Sequence, residues 1–195
     1  MMTNEQLRSA LQRWTSVRSG PFFSEDDLPR AMYDGFLPAQ YLDLAADIGG
    51  REGFFGDQYI RFYRLGELAR LNQAYQIPTY NPELFIFASD GYGEAFAFCV
   101  AREQIVKVPR IPIPTQNADV LANSFGEFIE MLARSGPSPD ADPSALGTEL
   151  HLIKPLCFGG DWHDPANTVR VTPVQYGELV TYWNKLYRGL VPLNH

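Results

Sequence analysis

The chain has 195 residues and a formal net charge of −7, with 45% hydrophobic and 20% charged residues. That is an ordinary globular composition, and a chain of this length buries roughly two-thirds of its unfolded surface without help from disulfides or metals. No run approaches the ~18 consecutive apolar residues of a membrane span. The opening MMTNEQLRSALQRW has no apolar signal core. Acids outnumber bases both in residues 1–135 and in 136–195, so no basic block waits for phosphates. A cytoplasmic protein with no direct contact to nucleic acid or membrane is expected. Cys99 and Cys157 both lie in apolar stretches and are expected as two buried thiols. No ligand pairs stand at zinc-binding spacing, and no metal or cofactor is expected.

Taken in chain order, residues 3–18 have helical spacing, with Leu7, Leu11 and Trp14 on one face. Ser24-Glu25-Asp26-Asp27 is a helix-start signature with acids in the first turn. Pro38 opens a second helix whose apolar stripe is Tyr41, Leu42, Leu44, Ala45 and Ile48, stopping at Gly49-Gly50. Phe54-Phe55 and Gln58–Leu65 read as strands around the Gly56-Asp57 turn. A helix follows over about 66–75, and Pro78 and Pro82 keep the next segment irregular. Leu84–Ala88, Ala95–Val100 and Gln104–Val108 are three strands at hairpin spacing, hence antiparallel, with the first continuously apolar and so central. Ile111–Pro114 is extended and not a central strand. Ser124 caps a closing helix with Glu127 three residues on and Phe125, Phe128, Ile129 and Leu132 inward. This order of elements predicts an α+β fold, helices flanking a mainly antiparallel sheet.

A proline-, serine- and aspartate-rich stretch, residues 136–148, reads as a linker or loop. It divides a domain of residues 1–135 from an extension, 149–195, expected to pack on that domain. In the extension, residues 173–189 set Tyr176, Leu179, Val180, Trp183, Leu186 and Tyr187 on one helical face, and Trp183 and Tyr187 are large enough to dock it.

Three stretches are familiar together. Pro38…Tyr41-Leu42…Asp47-Ile48-Gly49-Gly50, Leu84–Glu94 with its Ser89-Asp90-Gly91-Tyr92-Gly93 turn, and Ala122–Ile129 resemble the SUKH superfamily over roughly residues 24–133. That superfamily includes the yeast cell-wall-assembly regulator and many bacterial immunity proteins. The resemblance implies an α+β fold with a curved antiparallel sheet, no catalysis, and, for many bacterial members, binding and neutralisation of a toxin. The glycines at 91 and 93 read as turn residues. The acids at predicted turns, Asp57, Asp90 and Glu94, with Tyr92 as an aromatic between two of them, are the candidate partner contacts.

Residues 149–167 are similar to the first half of an HNH nuclease finger, with a histidine, a proline four residues later, Gly159-Gly160 and a Pro-x-Asn. The resemblance implies His151 as the base and Asn167 as the orienting residue. Leu150 stands where an acid or histidine belongs, Tyr176 and Glu178 stand near the place of the closing metal ligand, and His163 is off the pattern. A finger short of ligands holds metal poorly, so a silent finger kept for packing or recognition is expected. Three functions therefore stand side by side. The first is a non-catalytic immunity protein that neutralises a toxin, the second a regulatory or scaffold protein of the same fold, and the third a metal-dependent nuclease.

Overall fold

A computed structural model describes residues 2–18, 37–113, 118–134 and 145–190. The helix start expected at Ser24–Asp27 and most of the 136–148 segment lie outside them. Helix α1 (Asn4–Gln12) opens on a capping box in which Thr3 Oγ1 accepts from Gln6 N at 3.3 Å and Gln6 Oε1 accepts from Thr3 N at 2.8 Å. It stops short of the expected residue 18. Thr15, Ser16 and Val17 are poor helix formers, and Val17–Arg18 instead form strand β1, paired with Glu52 and Arg51.

Helix α2 (Ala39–Ile48) follows Pro38 with the expected apolar stripe buried. Strands β2 (Arg51–Phe55) and β3 (Gln58–Phe62) make the hairpin around Gly56-Asp57. Helix α3 (Leu65–Ala74) leads into a single turn of helix, α4 (Ile77–Tyr80), where the prolines predict irregular chain. Strands β4 (Leu84–Ser89), β5 (Glu94–Cys99) and β6 (Gln104–Pro109) are the three predicted hairpin strands, within a residue at each end. A short strand without a sequence signature, β7 (Asp119–Ala122), precedes α5 (Phe125–Arg134). Ser124 Oγ accepts from Glu127 N at 3.1 Å, as the capping pattern predicts.

The seven strands form one antiparallel sheet in chain order, with β4 in the middle and all six of its residues buried. The fold is α+β. A cluster of rings fastens α2 and α5 to the sheet: Phe87 stacks on Phe98 at 4.3 Å, and Tyr41 meets both of them and Phe125 edge-on at 5.1–5.6 Å. Such pairs add roughly 0.5–1.5 kcal/mol each beyond area burial. Strand β3 pairs with β4 only at Arg61–Ser89 and Phe62–Ala88. Further along β4, the Asn72 side chain of α3 takes over the sheet's hydrogen bonding. It donates to Ile86 O and accepts from Ile86 N, both at 2.8 Å.

Beyond residue 145 come strands β8 (Glu149–Leu152) and β9 (Thr168–Val171), a separate two-stranded hairpin, and helix α6 (Pro173–Leu190). Leu150 N donates to Gly91 O at 2.8 Å, which seats the hairpin on the β4–β5 turn. Helix α6 buries Tyr176, Gly177, Val180 and Asn184, and meets the end of α3 through Gly177 against Ala74 and Tyr75 and through Thr181, whose hydroxyl donates to Ala74 O. A Cβ on Gly177 would stand 3.3 Å from the Tyr75 ring, so this crossing is close. Asn184 accepts from Ile113 N and donates to Arg110 O.

The docking residues differ from those expected. Trp183 and Tyr187 are only partly buried and pack on Phe158 of the extension itself, with Trp183 at 4.9 Å. Leu186 is exposed. The helix turns Gly177 and Thr181, both small, to the end of α3. Cys99 is buried as expected, whereas Cys157 is exposed, in a short turn after Pro155. No helix among the described residues is long and apolar enough to cross a membrane.

Candidate functional site

Where the hairpin meets the sheet, charge is buried. Arg61 of β3 is inaccessible to solvent and donates from Nε to Glu52 at 2.8 Å, from Nη1 to Glu149 at 2.9 Å and from Nη2 to Thr148 O at 2.8 Å. Glu149, the first residue of β8, also accepts from Arg110 Nη2 at 2.7 Å and from Ser89 Oγ at 2.8 Å. Tyr59 donates to Glu52 at 2.8 Å. Two carboxylates thus face two guanidiniums, and each oxygen of Glu149 is bonded. Burial by itself raises the Glu149 carboxyl, but Arg110 and then Arg61 overcome it and hold the group below the usual carboxylate range. The network ties β2, β3, β4 and the chain after β6 to the extension.

Above it, between the β4–β5 turn and the hairpin, lies a cavity of about 390 Å³. That is within the size range of small-ligand pockets. Its walls include Ile111, Leu150 and Pro155 together with three aromatic rings, Tyr92, Trp162 and Tyr176. Tyr92 and Trp162 are each 37% exposed and Leu156 is 53% exposed, so these three form the mouth. Gly93 has φ +116°, a backbone conformation that side chains rarely adopt. A Cβ there would stand 3.5 Å from the Trp162 ring and 3.8 Å from the Tyr176 hydroxyl. The absent side chain leaves the space between the two rings open.

Three of the four candidate contacts line this cavity: Asp90, Tyr92 and Glu94. Asp57 does not; it is exposed at the β2–β3 turn. Asp90 corrects the expectation of an exposed acid, being 6% exposed. Its Oδ1 accepts from Tyr92 N at 2.8 Å and Glu94 N at 2.9 Å, so the carboxylate closes its own turn. Burial raises its pKa against the pull of Arg110 and those two N–H groups. Glu94 remains 41% exposed and forms an ion pair with Lys107.

The finger-like residues are turned to structural use. His151 is 2% exposed, lies edge-on to Tyr176 at 5.5 Å, and its Nε2 has no hydrogen-bond partner among the described residues. Burial, and next the Arg110 charge, push its pKa down to about 4, so the ring is neutral at physiological pH. Asn167 Oδ1 accepts from Lys154 N at 2.8 Å, while Nδ2 donates to Lys154 O and Asp161 O. Those bonds brace the loop between β8 and β9. His163 and Glu178 are exposed on different elements. Among the described residues no group of three His, Cys, Asp or Glu side chains stands together to hold a metal ion.

Neither a protein-family model nor a curated protein matches the chain.

Sequence reasoning missed the charge network and Trp162. A signal existed for Arg61, a charge inside the apolar run Tyr59-Ile60-Arg61-Phe62-Tyr63, which demands a buried counter-charge if the run is a covered strand. Trp162 lies in a polar loop and carries no such signal.

Proposed function

We propose that this is a non-catalytic protein-binding protein of the SUKH immunity type, acting in the cytoplasm to neutralise a toxin encoded beside it. The supporting observation is the cavity mouth. Tyr92, Trp162 and Leu156 stand exposed around a cleft, with Glu94 beside them, on a rim braced by Asp90 and the buried network. Tyr and Trp are the residues most enriched where binding energy concentrates in interfaces, and a preorganised rim lowers the ordering cost of binding. The net charge of −7 favours encounter with a basic partner, such as an enzyme with a positive cleft for nucleic acid. The groups that resemble a nuclease finger serve the fold: His151 is inside, and Asn167 is engaged in bracing its loop.

The test is co-expression with the toxin-like reading frame adjacent to the gene, scored by survival. Survival should require this protein, and the purified pair should associate more slowly as salt rises, since screening acts beyond about 8–10 Å at physiological ionic strength. The double variant Tyr92→Ala/Glu94→Lys should lose protection while keeping the wild-type circular dichroism spectrum. Full protection by a folded double variant would refute the mouth as the contact surface.

A further inference from the structure

The cavity has a chemical character that the bare reading of a protein-binding rim does not use. The residues lining it include two carboxylates, Asp90 and Glu94, and neither lysine nor arginine. Lys107, which is not among the lining residues, is paired with Glu94 and stands 4.0 Å from Asp90. The buried network beneath is balanced, Glu52 and Glu149 against Arg61 and Arg110. The charged side chains on the cleft's own surface are therefore carboxylates, while the cations Lys107 and Arg170 stand outside its lining.

Its walls are aromatic, and two of the three rings already carry a guanidinium of this chain. Arg110 Cζ lies 3.9 Å from the centroid of Tyr176 and Arg170 Cζ lies 6.0 Å from that of Tyr92. The third ring, Trp162, is of the type that binds cations best, and among the described residues no side-chain cation stands over it. The Trp162 ring borders the gap left open at Gly93. His151 is neutral and adds no opposing charge. Aromatic rings, carboxylates and the exclusion of basic side chains from the lining form the arrangement that attracts an organic cation.

We propose that this cavity receives a cationic side chain of the protein partner, an arginine guanidinium inserted between Trp162 and Tyr92 with Glu94 beside it. The inference rests on reading the cavity mouth as the partner-binding surface, and it names what that surface recognises. The partner's arginine displaces Lys107 from Glu94 and lays its planar group on the indole, a face that lysine fills less well.

The test uses the full chain and small probes, so it does not depend on the toxin. The probe is N-acetyl-L-arginine methylamide, compared with its uncharged isostere N-acetyl-L-citrulline methylamide. The readout is the indole N–H cross-peak of Trp162, assigned with Trp162→Phe. The arginine probe is expected to shift that cross-peak with a dissociation constant on the order of millimolar, and citrulline to bind about tenfold more weakly. Glu94→Gln, at a half-exposed position, should reduce arginine binding severalfold and leave citrulline unchanged. Equal response to both probes, or no shift at about 50 mM arginine probe, would overturn the proposal. A toxin bound through the mouth alongside a negative arginine titration sinks this inference alone. A positive titration with no toxin bound leaves the cation site standing and removes the immunity reading.

Discussion

Glu149→Gln removes one charge and almost no volume at a fully buried position, so it isolates the electrostatic role of the network. In the wild type this carboxylate faces Arg61 at 2.9 Å and Arg110 at 2.7 Å. The amide keeps the shape but removes the carboxylate charge that Arg61 and Arg110 share. Breaking a buried pair at one partner typically costs about 3–5 kcal/mol. For a protein of this size that corresponds to a fall of roughly 6–20 °C in melting temperature. The pH dependence has a definite sign. The folded pKa of Glu149 lies below its ordinary value, so its contribution is complete above the unfolded pKa and is lost as pH falls through the folded one. The gap between wild type and variant should be widest near neutrality and narrow as pH falls through and below the ordinary carboxylate range. Urea unfolding followed by tryptophan fluorescence, repeated between pH 7 and pH 3.5, measures it. A variant within about 0.5 kcal/mol of wild type at pH 7 would show that the network is not what holds the hairpin to the sheet.

Two further outcomes follow from the same geometry. The His151 ring should titrate near pH 4 by NMR, and because its folded pKa is depressed, its stabilising contribution should be lost as pH falls from about 6.5 toward 4; His151→Gln should flatten that limb, and a titration near 6.5 would mean the ring is solvated. Cys157 should react with a thiol reagent in the native state and Cys99 only on unfolding, with simultaneous modification of both contradicting the positions found for them.

Much of the sheet was legible because its signals are local. The strands around Gly56-Asp57, Asp90–Gly93 and Ala101–Glu103 are each bounded by turn residues and filled with β-formers, and their register follows from short connections. Strand β1 escaped because two residues give no period, and β7 because a strand of four residues with two exposed gives little more. Asp90 was misread for a different reason. Aspartate at a turn reads equally well as solvated or as the acceptor that closes the turn, and only the hairpin laid across Gly91 decides for burial. The candidate site was half legible: Tyr92 and Glu94 are on the turn, but Trp162 and His151 arrive from more than fifty residues away. The docking face of α6 shows the limit of counting aromatics. Gly177 sets the contact with α3, since a Cβ there already stands 3.3 Å from the Tyr75 ring, and Asn184 bonds the chain after β6.

Arg61 finds one of its carboxylates, Glu52, nine residues earlier, but the carboxylate that balances Arg110 lies 39 residues later, and Arg61 meets that same group across 88. During synthesis at about 5–20 residues per second, Arg110 is on the chain roughly 2–8 s before Glu149 exists. Until then Arg110 lacks both the Glu149 carboxylate and the Tyr176 ring that cover it. The hairpin that begins at Glu149 therefore acts as a latch on the sheet. The cleft beside Tyr92 and Trp162 comes into being only when that latch has closed, because Leu150, Trp162 and Tyr176 supply its other wall.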